Sequence, residues 1–64
     1  MYNIRQEISP KLMREKQDVL KFYILKRFKT ISDLTLDVEH NEIIYPQDSG
    51  VKPAKLMKFV NKLN

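Results

Sequence analysis

The chain has no cysteine, no tryptophan and only one glycine. Without cysteine, a disulfide framework and a thiolate metal site are both excluded. A single glycine, Gly50, cannot form a glycine-rich phosphate loop. The longest apolar run has four residues, Phe22–Leu25, whereas a membrane-spanning helix needs about 18. The N-terminal residues also lack the apolar core of a signal peptide, so we expect a cytoplasmic protein with no membrane partner.

The remaining composition is that of a globular protein. The chain has 64 residues, of which 42% are apolar and 31% are charged. This length predicts a single domain spanning residues 1–64. Below about 70–80 residues a core seldom supplies more than ~3–5 kcal/mol. We therefore expect a homo-oligomer, or a complex with a partner, to add stability.

The first half of the chain predicts a strand followed by a long helix. Apolar residues alternate imperfectly over residues 2–8, which suits a short strand and an extended arm equally well. Ser9 is a suitable N-cap and Pro10 suits the first helical position. The apolar periodicity then predicts a helix from Pro10 to about Lys29.

The second half predicts a β-hairpin and a second helix. Residues 34–45 alternate in polarity around a two-residue turn at His40-Asn41, which places Leu36 opposite Tyr45 and Val38 opposite Ile43. Pro53 then belongs to the first turn of a C-terminal helix. The fold class is α+β: a small single domain, (β)-α-β-β-α, with two helices packed on one face of an antiparallel hairpin or three-stranded sheet. The expected core is Leu12, Val19, Leu20, Tyr23, Ile24, Phe28, Leu36, Val38, Ile43, Tyr45, Leu56, Phe59, Val60 and Leu63.

Charge is distributed unevenly along the chain. Residues 1–29 carry eight basic and three acidic side chains, residues 30–50 carry five acidic and no basic ones, and residues 51–64 carry four lysines and no acid. The net charge of +4 therefore conceals two basic helices on either side of an acidic hairpin. Such asymmetry indicates what kind of partner the protein binds, rather than its fold.

Little in the sequence favours catalysis. The only histidine, His40, falls in the predicted turn, and the serines flank elements, where caps and turns explain them. Asp37, Glu39 and Glu42 are the acids that would make a carboxylate pair or a hard-cation site, but a solvated sheet face explains them better. We expect no enzyme, no catalytic or metal-binding residue and no cofactor.

The leading hypothesis is a small regulatory protein that binds DNA or RNA through its basic helices. Lysines three and four residues apart on the last helix share one face, with no nearby acid, and are able to follow a phosphate backbone. The alternative for them is a solvated surface that keeps the protein soluble. The expected contacts are Lys52, Lys55, Lys58, Lys62 and Asn61, supplemented by Lys21, Lys26 and Lys29.

A second hypothesis, of another class, is a protein–protein interaction module that binds and modulates, or inhibits, another protein, as viral and mobile-element accessory proteins do. Phe22 and Leu25 lie on the polar side of the long helix, where an apolar pair framed by charges is typical of a contact surface. Burial inside the fold is the alternative for this pair. Asp37, Glu39 and Glu42 would offer an acidic face to a basic partner or to a second copy of the chain.

Overall fold

The computed structural model describes residues 2–63, in which strands and helices follow the order β-α-β-β-α. This order and the antiparallel sheet confirm the predicted α+β fold, and of the two alternatives for residues 2–8 the strand is the one that forms. A short 3₁₀ helix, Gln47–Ser49, precedes the last helix. The elements are strand β1 (Asn3–Glu7), helix α1 (Pro10–Arg27), strand β2 (Thr35–Asp37), strand β3 (Glu42–Pro46) and helix α2 (Pro53–Asn61).

The sheet has the strand order β1-β3-β2, so the last strand along the chain is the central one. Strand β1 pairs with β3 from Asn3 opposite Pro46 to Glu7 opposite Glu42. Because side chains alternate across a strand, Ile43 and Tyr45 point into the core while Arg5, Asp37 and Glu42 share the outer face. The helices cover the apolar face of the sheet.

The hairpin loop is longer than the sequence predicted. Leu36 lies opposite Ile43 and Asp37 opposite Glu42, so residues 38–41 form the turn instead of His40-Asn41 alone. The pairing is shifted by two residues, and because the side-chain period is two, the shift preserves which face is apolar. Val38, predicted as core, therefore lies in the turn and is 47% exposed. Asn41 adopts a left-handed φ of 54°, as its placement in a turn requires.

Each helix begins where local sequence signals predict. The Ser9 hydroxyl accepts a hydrogen bond from the Leu12 N–H at 3.5 Å, and Pro10 occupies the first turn of α1. Helix α2 begins at Pro53, after Lys52, whose side chain makes no capping bond. The proline at the start needs no N–H partner, which lowers the number of donors that the helix end leaves unpaired.

The core is apolar throughout and lies between the sheet and the helices. Two predicted core residues of α1 are misplaced: Tyr23 is 40% exposed and Val19 is half-buried, because α1 packs through a stripe centred on Leu20 and Ile24. Phe59, Leu36 and Leu63 are half-buried at the core edge. The buried residues are Ile8, Leu12, Met13, Leu20, Ile24, Phe28, Ile31, Leu34, Ile43, Tyr45, Val51, Leu56 and Val60.

A buried hydrogen bond connects the sheet to the loop that leads into α2. Tyr45 is 1% exposed and donates its hydroxyl to the carbonyl oxygen of Val51 at 3.0 Å. Burial raises the pKa of Tyr45, because the phenolate would be poorly solvated there. Between these two residues, Gly50 turns the chain with a left-handed φ of 78°. The start of α2 is thereby held against the end of the central strand.

Candidate nucleic-acid interface

A cleft of about 270 Å³ lies between the end of α1 and the outer side of α2. Two kinds of side chain line it, basic ones and aromatic ones. Its lining residues are Arg27, Phe28, Lys55, Lys58, Phe59 and Lys62. We call this group the basic cleft. It brings together three of the lysines predicted as nucleic-acid contacts, together with an arginine from the other helix.

The periodicity of α2 determines how the lysines are presented. Leu56 and Val60 are fully buried against the core, which fixes the rotation of the helix. Lys55, Lys58 and Lys62 are spaced by three and four residues, so they follow one another along the opposite, exposed side. Three ammonium groups therefore line the same wall of the cleft.

The end of α1 supplies the other wall. Phe28 follows the helix, and its backbone N–H donates to the Ile24 carbonyl oxygen at 2.8 Å, which keeps the last turn closed. The Phe28 side chain is buried, and its ring packs edge-to-face on Phe59 with the ring centres 5.6 Å apart. The Arg27 guanidinium lies 5.2 Å from the centre of the Phe28 ring. This cation–π contact holds Arg27 in place beside the cleft.

The cations of the basic cleft are not paired with carboxylates of the described residues. Within residues 2–63, the ion pairs of 4.0 Å or less all lie on the outer face of the sheet or in its hairpin turn. Basic residues in the last turn of each helix also suit the negative end of the helix dipole, which is a purely structural use for Arg27 and Lys58. Lys62, the C-cap residue of α2, suits the same end of the dipole, so among the four cations only Lys55 lacks this use.

The other residues predicted to contact nucleic acid lie outside the cleft lining. Lys52 precedes α2 and Asn61 ends it, and both are exposed. Lys26 projects over the Phe22 ring at 5.8 Å, a contact on another side of α1. Lys21 and Lys29 are also exposed. None of these five residues is therefore part of the basic cleft.

Sequence reasoning missed Arg27, Phe28 and Phe59 as site residues. The apolar periodicity places all three on the apolar side of a helix, which is correct for Phe28 but incomplete for Arg27 and Phe59. The available signal was the interleaving of aromatic and basic residues, Arg27-Phe28-Lys29 and Lys58-Phe59. Only the packing of α1 beside α2 shows that these two short motifs form one surface.

The acidic residues form a separate surface, and Arg5 lies among them. Its guanidinium Nη1 is 3.1 Å from Glu42 Oε1 and 4.0 Å from Asp37 Oδ2. Glu42 lies directly opposite Glu7 on one side and Asp37 on the other, an arrangement of like charges that would be unfavourable without this cation. The acidity of the hairpin is thus partly neutralised within the fold.

The hairpin turn accounts for the cluster formed by Asp37, Glu39 and His40. Each brings one ligand-type atom to within 4.8 Å of the others. Asp37 already accepts the His40 backbone N–H at 3.2 Å and contacts His40 Nδ1 at 2.9 Å. The hydrogen bond from the His40 side chain is the main reason that the pKa of Asp37 is lowered. These contacts are those of a capped turn.

The apolar pair predicted as a protein contact divides between two environments. Leu25 is half-buried and packs on the core, whereas Phe22 is 61% exposed. The ring of Phe22 lies 5.9 Å from that of Tyr23, which is also exposed. The exposed apolar surface of α1 is therefore Phe22 with Tyr23, not Phe22 with Leu25.

Comparison with known proteins adds no family. No protein-family model, curated protein or solved structure significantly matches the chain. Within residues 2–63, no helix has the length and apolarity needed to cross a bilayer.

Proposed function

We propose that this chain is a small, non-enzymatic regulatory protein of the cytoplasm that binds nucleic acid through the basic cleft. One observation carries the proposal: side chains from two different helices converge as four cations around one cleft, with no carboxylate of residues 2–63 in ion-pair contact. A phosphate backbone is a polyanion whose closely repeated charges such a group of cations can neutralise.

The number of cations sets the expected salt dependence. If Arg27, Lys55, Lys58 and Lys62 each neutralise one phosphate, log K falls with log salt at a slope of roughly −3.6 on duplex DNA and roughly −2.8 on a single strand. Between about 50 and 200 mM salt, the steeper slope corresponds to a loss of about 150-fold in affinity. Binding that came only from stacking or apolar contact would lack this dependence.

The test is a salt titration of binding, followed by fluorescence anisotropy of labelled oligonucleotides. The double variant Lys55→Gln/Lys58→Gln removes two charges from the cleft and is expected to reduce the magnitude of the slope by roughly 1.8 on a duplex. Both positions are exposed, so the variant should fold normally.

The double variant Lys11→Gln/Arg14→Gln is the matched control. It removes the same total charge from exposed positions of α1, with Arg14 about 20 Å along the helix from Arg27. We expect its slope to stay close to that of the unmodified protein. Equal effects of the two double variants would show that net charge alone, and not the cleft, attracts the ligand, and absence of binding at micromolar protein would end the proposal.

A second candidate function is a protein–protein contact, which could also be a homo-oligomer. The observation that favours it is the exposed pair Phe22 and Tyr23, since large exposed aromatic side chains are frequent anchors of interfaces. We propose that this contact modulates or inhibits the partner, and that Asp37, Glu39 and Glu42 offer a separate acidic surface on the sheet and its turn. Phe22→Asp is expected to abolish the complex in pull-down and sedimentation experiments, whereas unchanged behaviour would remove this candidate.

A further inference from the structure

We infer that the basic cleft receives an unpaired nucleotide of a single strand, with its base against the Phe59 ring and its flanking phosphates among the lysines. This inference rests on the proposed function and names the form of nucleic acid that the same site takes. The expected ligand is single-stranded DNA or RNA, and tighter binding of a duplex would contradict the inference.

The aromatic side chains distinguish a single strand from a duplex. Phe59 is half-buried and lines the cleft, and the buried Phe28 supports it at 5.6 Å in an edge-to-face arrangement. A base stacks on an aromatic side chain only when it is unpaired, because the faces of duplex bases are covered by their neighbours. An aromatic ring among phosphate-binding cations therefore adds affinity only for a single strand.

The shape of the site leads to the same conclusion. The cleft is a half-open depression of about 270 Å³, close to the lower end of small-ligand sites at ~300 Å³. The surface of a duplex is broad and convex, so it would touch the lysines at the rim and leave the aromatic wall unused. A flexible single strand can turn one base inward while its phosphates remain at the rim.

Arg27 is held in a geometry that suits a phosphate. Its guanidinium lies 5.2 Å from the centre of the Phe28 ring, so part of its freedom is already lost before a ligand binds. A guanidinium donates two parallel hydrogen bonds to phosphate oxygens, whereas a lysine acts as a point charge. Arg27 is thus expected to fix the phosphate beside the stacked base, and the lysines supply the longer-range attraction.

The experiment compares three probes of about 12 units at one salt concentration, a length within the range bound by known single-strand sites. They are an oligothymidylate, an abasic deoxyribose-phosphate oligomer of the same length, and a duplex. Charge alone predicts that the duplex binds most tightly, since its charge density is highest. Stacking predicts instead that the oligothymidylate binds more tightly than the abasic oligomer, by about 5-fold or more for a single base.

The protein variants test the ring itself. Phe59→Leu keeps an apolar side chain at the core edge and removes the aromatic face, so affinity for the oligothymidylate should fall by about 5- to 150-fold, with the salt slope unchanged. Phe22→Leu is the matched control, because Phe22 is aromatic and exposed but lies outside the cleft. Circular dichroism verifies that each variant is folded, and the abasic comparison needs no variant at all.

The outcomes separate this inference from the proposed function. Equal affinity for the oligothymidylate and the abasic oligomer, tighter binding of the duplex, or equal effects of Phe59→Leu and Phe22→Leu would overturn the stacking inference. The proposed function would survive those results if Lys55→Gln/Lys58→Gln still reduced the salt slope. Failure of all three probes to bind would overturn both.

Discussion

Replacement of Tyr45 by phenylalanine tests how α2, and with it the lysine wall of the cleft, is attached to the sheet. The Tyr45 hydroxyl donates to the buried Val51 carbonyl at 3.0 Å, and phenylalanine fills the same space without the donor. The variant leaves a buried acceptor unpaired, a loss of about 1–3 kcal/mol. For a domain of this size each kcal/mol corresponds to a fall in Tm of about 4–8 °C.

The pH dependence of this effect provides an independent check. Burial raises the pKa of Tyr45 above its ordinary value of 10.0, so the unfolded chain loses the phenolic proton first as the pH rises. The stability associated with the protonated phenol is therefore complete below pH ~10 and is lost as the pH rises through the folded-state pKa. The difference in unfolding free energy between the unmodified protein and Tyr45→Phe should therefore become smaller as the pH rises above about 10.

Urea denaturation at neutral pH and at a pH above 10 measures both effects, with far-ultraviolet circular dichroism as the signal. Phe22→Leu is a suitable control, because its ring is exposed and carries no hydrogen bond. If Tyr45→Phe is as stable as the unmodified protein at neutral pH, the hydroxyl does not anchor the loop. A constant difference across the alkaline range would contradict the role assigned to phenol burial.

Two further predictions concern turns. Gly50→Ala is expected to lower the unfolding free energy by about 1–2 kcal/mol. Backbone strain is the cause, because φ is 78° and nothing lies within 4 Å of the added methyl group. An unchanged midpoint of urea denaturation would refute this prediction. Asp37→Asn removes a carboxyl group whose pKa is lowered mainly by the hydrogen bond from the His40 side chain. The unmodified protein loses stability as the pH falls through that lowered pKa, and this loss should be smaller in the variant. Identical acid titrations of the two proteins would contradict the prediction.

Local signals were sufficient to predict most of the fold. Ser9-Pro10 determines where α1 begins because capping and proline geometry depend only on neighbouring residues. The apolar faces of the strands were also correct, since a register shift of two residues leaves each side chain on its original face. The loop length was wrong because residues 38–41 contain no Asn-Gly or Asp-Gly pair to impose a two-residue turn.

The candidate site depended on tertiary contacts that periodicity does not describe. Periodicity placed Tyr23 and Val19 in the core because the apolar stripe of α1 is wider than the surface that the sheet and α2 cover. The same ambiguity concealed Arg27, because the periodicity predicts that its stem lies over the core edge while its charge stays in water. The lysine stripe was predictable from spacing alone, but its opposite wall belongs to a residue pair about 30 positions earlier in the chain.

The separation of charge between the two layers of the fold explains why carboxylates of the sheet do not neutralise the cations of the basic cleft. The sheet carries Asp37 and Glu42 on the face that points away from the helices, and Arg5 from the neighbouring strand partly neutralises them there. Lys55 and Lys58 lie on the exposed side of α2, so these acids and the cations of the cleft occupy different surfaces of the fold. The β1–β3 register that places Arg5 diagonally beside Glu42 therefore matters on both surfaces, because it stabilises the acidic one without drawing on the cations of the basic one.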